Sequence, residues 1–77
     1  MSSAYVLINV KSPERVRETV ANLRTKKGVR SAEAIFGPYD IIAVIEGQDL
    51  KHLSNTVIND LYDLGYIERS ITCIAIE

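Results

Sequence analysis

The spacing of apolar residues divides the chain into segments with the two-residue alternation of strands and segments with the three-to-four-residue recurrence of helices. Ala4 to Lys11 carries the β-branched residues Val6, Ile8 and Val10 and reads as a strand. Ser12 can cap a helix, and Pro13 suits its first position, where the missing N–H costs nothing. Val16, Val20 and Leu23 then recur at helical spacing, with Glu14 near the start and Arg24, Lys26 and Lys27 near the end, as the macrodipole favours. Gly28 suits the position just past a helix, so the first helix is expected over Pro13 to Lys27. Val29 to Phe36 reads as a strand weakened by Ala32 and Ala34, and Gly37-Pro38-Tyr39-Asp40 as a turn. Ile41 to Glu46 is the strongest strand, broken by Gly47-Gln48. Asp49 can cap a second helix with Leu50, Leu53, Val57, Leu61 and Leu64 on one stripe, ended by Gly65. Ser70 to Glu77 is a last strand, with Ile71, Cys73 and Ala75 on one face and Thr72, Ile74 and Ile76 on the other.

The resulting order, βαββαβ, predicts an α+β, ferredoxin-like fold: a four-stranded antiparallel sheet of order 4-1-3-2 with both helices on one face. An antiparallel sheet with one solvated face should alternate apolar and polar residues. These strands do not. Ile41, Ile42, Ala43, Val44 and Ile45 are apolar on both faces, as are Tyr5, Val6, Leu7 and Ile8. Two helices cover one face, so the other is left as an apolar patch of the kind that marks an interface. A homo-dimer with sheets packed face to face, about 10 Å apart, is expected, the alternative being a monomer with an exposed apolar sheet.

Composition sharpens that expectation. The 77 residues make one domain, residues 1–77, and a domain this small has a thin stability margin. Such domains recover margin with disulfides, a metal or oligomerisation. One cysteine, Cys73, allows no intrachain disulfide, suits a reducing, cytoplasmic compartment, and reads as a small buried hydrophobe. With His52 the only histidine, a four-ligand zinc site cannot be assembled, and no metal or cofactor is expected. Oligomerisation remains. The net charge of −1 argues against nucleic-acid binding by whole-domain charge. No apolar run is longer than Ile41 to Ile45, far short of the roughly 20 residues that span a bilayer, and Met1 to Ala4 has no basic signal-peptide start.

Candidate chemistry concentrates at one turn. In Phe36-Gly37-Pro38-Tyr39-Asp40, Gly37 permits positive φ, Pro38 stiffens the turn, Tyr39 offers a ring with a hydroxyl, and Asp40 offers an acceptor. Backbone amides there suit the carboxylate of an amino acid, and Asp40 its amine. Plain turn chemistry, with Asp40 bonded to its own backbone, explains the same residues more simply. Arg24, Lys26, Lys27 and Arg30 form a basic cluster, read as a solvated helix end rather than a phosphate contact. The catalytic inventory is poor: His52 lies beside the buried stripe with no Ser or Cys partner, and Asp60 and Asp63 read as a solvated face. A non-enzymatic role is expected.

Several segments together resemble a known family. Ala4 to Val10, Gly28-Val29, Gly37 to Gly47 with its Gly-x-Tyr-Asp turn, Asp49-Leu50 with Leu53, and Ile67-Glu68-Arg69-Ser70-Ile71-Thr72 are similar in order and spacing to the C-terminal effector domain of the Lrp/AsnC transcription regulators. This is the RAM domain, for regulation of amino acid metabolism, and the resemblance covers the whole chain. It implies a ferredoxin-like domain that dimerises through its sheets and assembles further, often into octamers. It also implies a small-molecule effector, commonly an amino acid, held near the contact between dimers. The effector-contacting residues would be Gly37, Tyr39 and Asp40, with Ser70 and Thr72 as weaker candidates. Two departures stand out. The family's N-terminal helix-turn-helix is missing, so the chain resembles a stand-alone RAM protein that would not bind DNA directly but would act with full-length Lrp/AsnC regulators. The family often has Pro-Gly before its last strand, where this chain has Gly65-Tyr66. The expected function is thus an amino-acid-binding regulatory module. The alternatives are a ligand-free adaptor or a small dimeric enzyme of the same fold.

Overall fold

A computed structural model describes residues 2–76. Strands β1 (Ser2–Val10), β2 (Val29–Ala34), β3 (Ile41–Gly47) and β4 (Ile67–Ile74) form one antiparallel sheet of order β2-β3-β1-β4. Read from the other edge this is the expected 4-1-3-2. Each β-α-β passage is a crossover and the β2–β3 link is a hairpin, so β1 and β3 lie at the centre. The core is the helix-facing side of the sheet: Ala4, Val6, Ile8 and Val10 of β1 and Ile41, Ala43 and Ile45 of β3 meet Val20, Leu23, Leu53 and Leu61 from the helices. None of the described helices is long and apolar enough to cross a membrane.

The helices are shorter and less regular than the periodicity predicts. Pro13–Arg15 is a 3₁₀ turn, followed by α1 (Val16–Leu23). Pro13 does occupy the first helical positions, but the Ser12 side chain makes no capping bond. The helix stops at Leu23 because Asn22 O is taken by the Thr25 N–H at 3.1 Å and the Thr25 hydroxyl at 2.7 Å, which closes a turn. Arg24 is not simply a solvated helix end. Its Nε donates at 3.0 Å to the carbonyl of Ala32, on edge strand β2. Gly28 is not a left-handed cap either, since among the described residues only Gly37 and Gly65 have positive φ. It is needed for close approach, because a Cβ there would stand 2.8 Å from Thr56 Oγ1.

The second helix begins as expected. The Asp49 side chain accepts from the His52 N–H at 3.0 Å, and α2 runs over Leu50–Asn55. It then widens into a π-helical stretch, Thr56–Leu61, and tightens into a 3₁₀ turn, Tyr62–Leu64, before Gly65 ends it at φ +79°. Leu53 and Leu61 are buried, and Val57 and Leu64 pack against the core. Leu50, expected on that stripe, is 61% exposed. It is the first helical residue, immediately after the Asp49 cap, and has no core beneath it. His52 is exposed and its ring faces Asp49 at 3.1 Å.

The strand ends also shift. β1 starts at Ser2, and β2 ends at Ala34 rather than Phe36. β4 runs from Ile67 to Ile74, starting three residues earlier than expected, and the predicted end at Glu77 lies outside the described residues. Cys73, expected to be buried, is exposed. It pairs with Tyr5 on the face of the sheet that the helices do not cover. The departure from the family at Gly65-Tyr66 has a defined shape. Tyr66 O accepts from the Lys11 N–H at 2.9 Å, and the Tyr66 ring lies under the Arg15 guanidinium, 4.5 Å from its centroid. The Tyr66 hydroxyl and Arg15 together hold the Glu18 carboxyl below its ordinary 4.5.

Two outcomes follow from this packing. Gly28→Ala should lower stability by about 1–3 kcal/mol through overpacking. Most of that loss should return in the Gly28→Ala/Thr56→Ala double variant, as measured by denaturant unfolding. The Asp49 carboxyl is held below its ordinary 3.8 by the His52 N–H and ring. Its stabilising effect is present above the unfolded-state value and is lost as pH falls through the folded-state value. Asp49→Ala should therefore lower the melting temperature at pH 7, and the difference from wild type should shrink as the pH is taken down through the ordinary aspartate range and below it.

Candidate functional site

The alternation of β1 sends Ala4, Val6, Ile8 and Val10 to the helices and Tyr5, Leu7 and Asn9 to the opposite, outer face. Pairing carries that division across the sheet. Leu7 stands opposite Ile71 on one side and Ile42 on the other, and Tyr5 opposite Cys73 and Val44. These two apolar rows lie side by side without a helix over them. Tyr5 is 48% and Ile71 44% exposed. The next row towards the β2–β3 hairpin is polar, with Arg69 opposite Asn9.

That polar row meets the Gly37–Asp40 turn. Gly37 adopts φ +150°, which favours glycine, and the chain folds back so that the Asp40 N–H donates to Ile8 O at 2.9 Å. The Asp40 carboxylate caps the end of β1: Oδ2 accepts from the Val10 N–H at 2.9 Å and from Asn9 Nδ2 at 3.4 Å. Asn9 Nδ2 also donates to Pro38 O at 3.1 Å. On the other side of the same amide, Asn9 Oδ1 accepts from Arg69 Nη2 at 3.4 Å. The Arg69 guanidinium lies over the Tyr39 ring, 5.6 Å from its centroid. A carboxylate, a carboxamide, an aromatic ring and a guanidinium are thus linked at the border of an uncovered apolar face.

Two shallow depressions flank the turn. One, towards the helices, is lined by Val16, Ala34, Ile35, Phe36, Gly37 and Asp40. The other is lined by Asn9, Pro38, Glu68 and Arg69. Phe36 is fully exposed at the tip. Of the sequence candidates, Gly37, Tyr39 and Asp40 come together here. Ser70 and Thr72 do not join them within one chain. Both face the helix side of β4, opposite Ile8 and Val6. Ser70 Oγ is 2.7 Å from the Tyr62 hydroxyl, and Thr72 lines a separate groove with Leu53, Ser54, Val57, Ile58 and Ile74. Asn9 and Arg69 were not legible as site residues. The signal for Asn9 was a lone polar residue near the end of an otherwise apolar strand. Arg69 depends on a bulge that no local pattern announces. Among the described residues, no group of three or more His, Cys, Asp or Glu side chains is placed to hold a metal ion.

The architecture is thus a ferredoxin-like sheet with a tight glycine turn and a polar network at the border of its uncovered face. Residues 3–77 match the family model of the Lrp/AsnC ligand binding domain, and the chain belongs to that family. It is 35% identical over 52 residues to the glutamine synthetase and cystathionine beta-lyase binding protein of Thermus thermophilus, a match covering 65% of this chain and 55% of that protein. The chain therefore spans little more than half of that relative. The crystal structure of TTHA0845, also from Thermus thermophilus, superposes with a TM-score of 0.93 at 27% identity, covering 100% of this chain and 95% of that one. The transcriptional regulator NMB0573 of Neisseria meningitidis, solved as its L-Met complex, shares the fold with a TM-score of 0.86 at 18% identity, over 99% of this chain and 50% of that one.

Because Asp40 bonds the backbone of β1, its removal should affect folding as well as any ligand. Asp40→Ala should cost about 1–3 kcal/mol, the range for a charge-assisted hydrogen bond to a partly buried amide. Asp40→Asn, which retains an acceptor, should cost less. Chemical denaturation of both variants measures the difference.

Proposed function

We propose that this chain is an amino-acid-responsive regulatory module that works as a homo-dimer joined through the outer faces of its sheets. The observation that carries the reading is the position of the Asp40–Asn9–Arg69–Tyr39 network at the border of the uncovered rows built from Tyr5, Leu7, Ile42, Val44 and Ile71. A face this apolar is stabilised by a second copy, whose own sheet supplies the missing cover. A ligand held where two copies meet binds the assembled form better and so shifts assembly by its differential affinity. Gly37, Tyr39 and Asp40 would contact the effector directly. Ser70 and Thr72 would contribute only from another protomer of a larger assembly, such as an octamer.

Membership of the Lrp/AsnC ligand-binding family and the L-Met complex of a regulator with this fold support an amino acid as the effector class. The module would act in the cytoplasm on full-length Lrp/AsnC regulators through the shared sheet face. A second reading, a ligand-free adaptor, is favoured by one specific feature: Asp40 Oδ2 is already occupied by the chain's own amides. The Thermus relative named for binding two enzymes gives that adaptor a class of partner, enzymes of amino-acid metabolism.

A thermal-shift screen of the proteinogenic amino acids, with native mass measurement in parallel, separates the readings. The sensor reading expects at least one amino acid to raise the melting temperature and change the oligomer distribution. No response in either measurement, with partner binding independent of ligand, leaves the adaptor. Val44→Asp, a charge in the middle of the outer face, should convert the dimer to a monomer in sedimentation at low micromolar concentration. A wild-type chain that is already a stable monomer there would remove the dimer from the proposal.

A further inference from the structure

Arg69 occupies an unusual position for an exposed cation. In a regular strand, residues two apart share a face, so Ile67 and Arg69 would point the same way. They do not. Val10 pairs with Ile67 and Asn9 with Arg69, leaving Glu68 as an extra residue in β4. This bulge turns Ile67 into the core, where it is 6% exposed, and Arg69 to the outer face beside the turn. Bulges characteristically re-aim one side chain, and here the re-aimed side chain is a guanidinium.

The guanidinium is held without being neutralised. One Nη donates to Asn9 Oδ1 at 3.4 Å, and the plane rests on the Tyr39 ring. Among the described residues, no carboxylate lies within 4.0 Å of it. Both of these contacts are uncharged, and Arg69 lines a depression together with Asn9, Pro38 and Glu68. On the far side of the same Asn9 amide stands Asp40, with Oδ2 bonded and Oδ1 making no hydrogen bond among the described residues. Asp40 lines the depression on the other side of the turn, so the guanidinium faces its own depression apart from that carboxylate. A carboxylate is the group whose geometry matches a guanidinium.

We propose that Arg69 binds the α-carboxylate of the effector and makes the free carboxylate the feature that selects it. The assignment rests on the amino-acid reading above and reverses its simplest form: the carboxylate is taken by a side chain of β4, not by the amides of the Gly37 turn. Arg suits this role because its planar fork can pair a carboxylate through two parallel hydrogen bonds. Stacking on Tyr39 holds the fork in place, so less freedom is lost when the ligand arrives.

The test uses the whole chain and isothermal titration with each proteinogenic L-amino acid, the matching amino-acid amides, and the decarboxylated amines. Wild-type protein should bind at least one amino acid and should bind its amide and amine at least tenfold more weakly, since a charge-assisted pair contributes about 1.5–3 kcal/mol. Arg69→Gln should lose at least that factor for the acid and no longer distinguish acid from amide. Arg69→Lys, which keeps the charge but not the fork, should recover part of both. Sedimentation should show the same oligomer for all three proteins. Equal binding of acid and amide by the wild type overturns the assignment without recourse to any variant, and so does undiminished, still discriminating binding by Arg69→Gln; in both cases the sensor reading stands. Absence of binding by any amino acid overturns both.

Discussion

The sheet is apolar on two faces and the chain has helices for one. That constraint organises the molecule. On the helix side, Ile8, Ile41 and Ile45 of the central strands are completely covered, and the apolar demand of the sheet is met. On the outer side, the same two-residue alternation lines up Leu7 with Ile71 and Ile42, and Tyr5 with Cys73 and Val44, under nothing. A small domain that leaves this much of its strands uncovered forgoes part of its limited burial. The proposed second copy completes the core that the sequence length leaves short.

The boundaries of that face are set by backbone irregularities. In β4 the extra residue is Glu68, and in β2, where Val29 pairs with Ile45 and Ser31 with Val44, it is Arg30. Each bulge reverses which face the following residues occupy. Val29 and Ile67 thereby enter the core, while Ser31 and Arg69 turn outward. At the hairpin end the uncovered face consequently finishes in Arg69 and Asn9, where the turn meets it, while Ser31 stands opposite Val44 at the β2 edge. The same end of the sheet is secured by Asp40, whose carboxylate takes the Val10 amide that the end of the β1–β3 ladder leaves without a backbone partner.

The opposite side of the molecule is tied down by unrelated means. Gly28 and Thr56 approach so closely that a Cβ at position 28 would displace the Thr56 side chain, and this contact docks the start of the π-helical stretch on the entrance to β2. Arg15, Glu18 and Tyr66 join the first turn of α1 to the lead-in of β4. The ring that replaces the family's usual residue therefore has a structural partner, and the loop before β4 is braced from α1 rather than by proline stiffness.

The sequence by itself determined the order and type of the elements, the sheet order and the presence of a second apolar face. Each of these follows from periodicity and punctuation, which are local: Pro13, Asp49 and Gly65 mark their helix ends, and Ile41 to Ile45 is apolar whichever way it points. The turn was legible for the same reason, as a run of residues with special backbone chemistry. Tertiary structure decided the rest. Leu50 is exposed and Cys73 faces outward because burial depends on which layer lies above a residue. The shortened helices reflect competing bonds at Asn22 and a widened turn at Thr56. Arg69 reaches Tyr39 and Asn9 only because a bulge reverses its face and antiparallel pairing joins residues 60 positions apart in the chain. Side-chain alternation is a local rule, but the site is a product of register, and register is fixed only when the whole sheet packs against its helices.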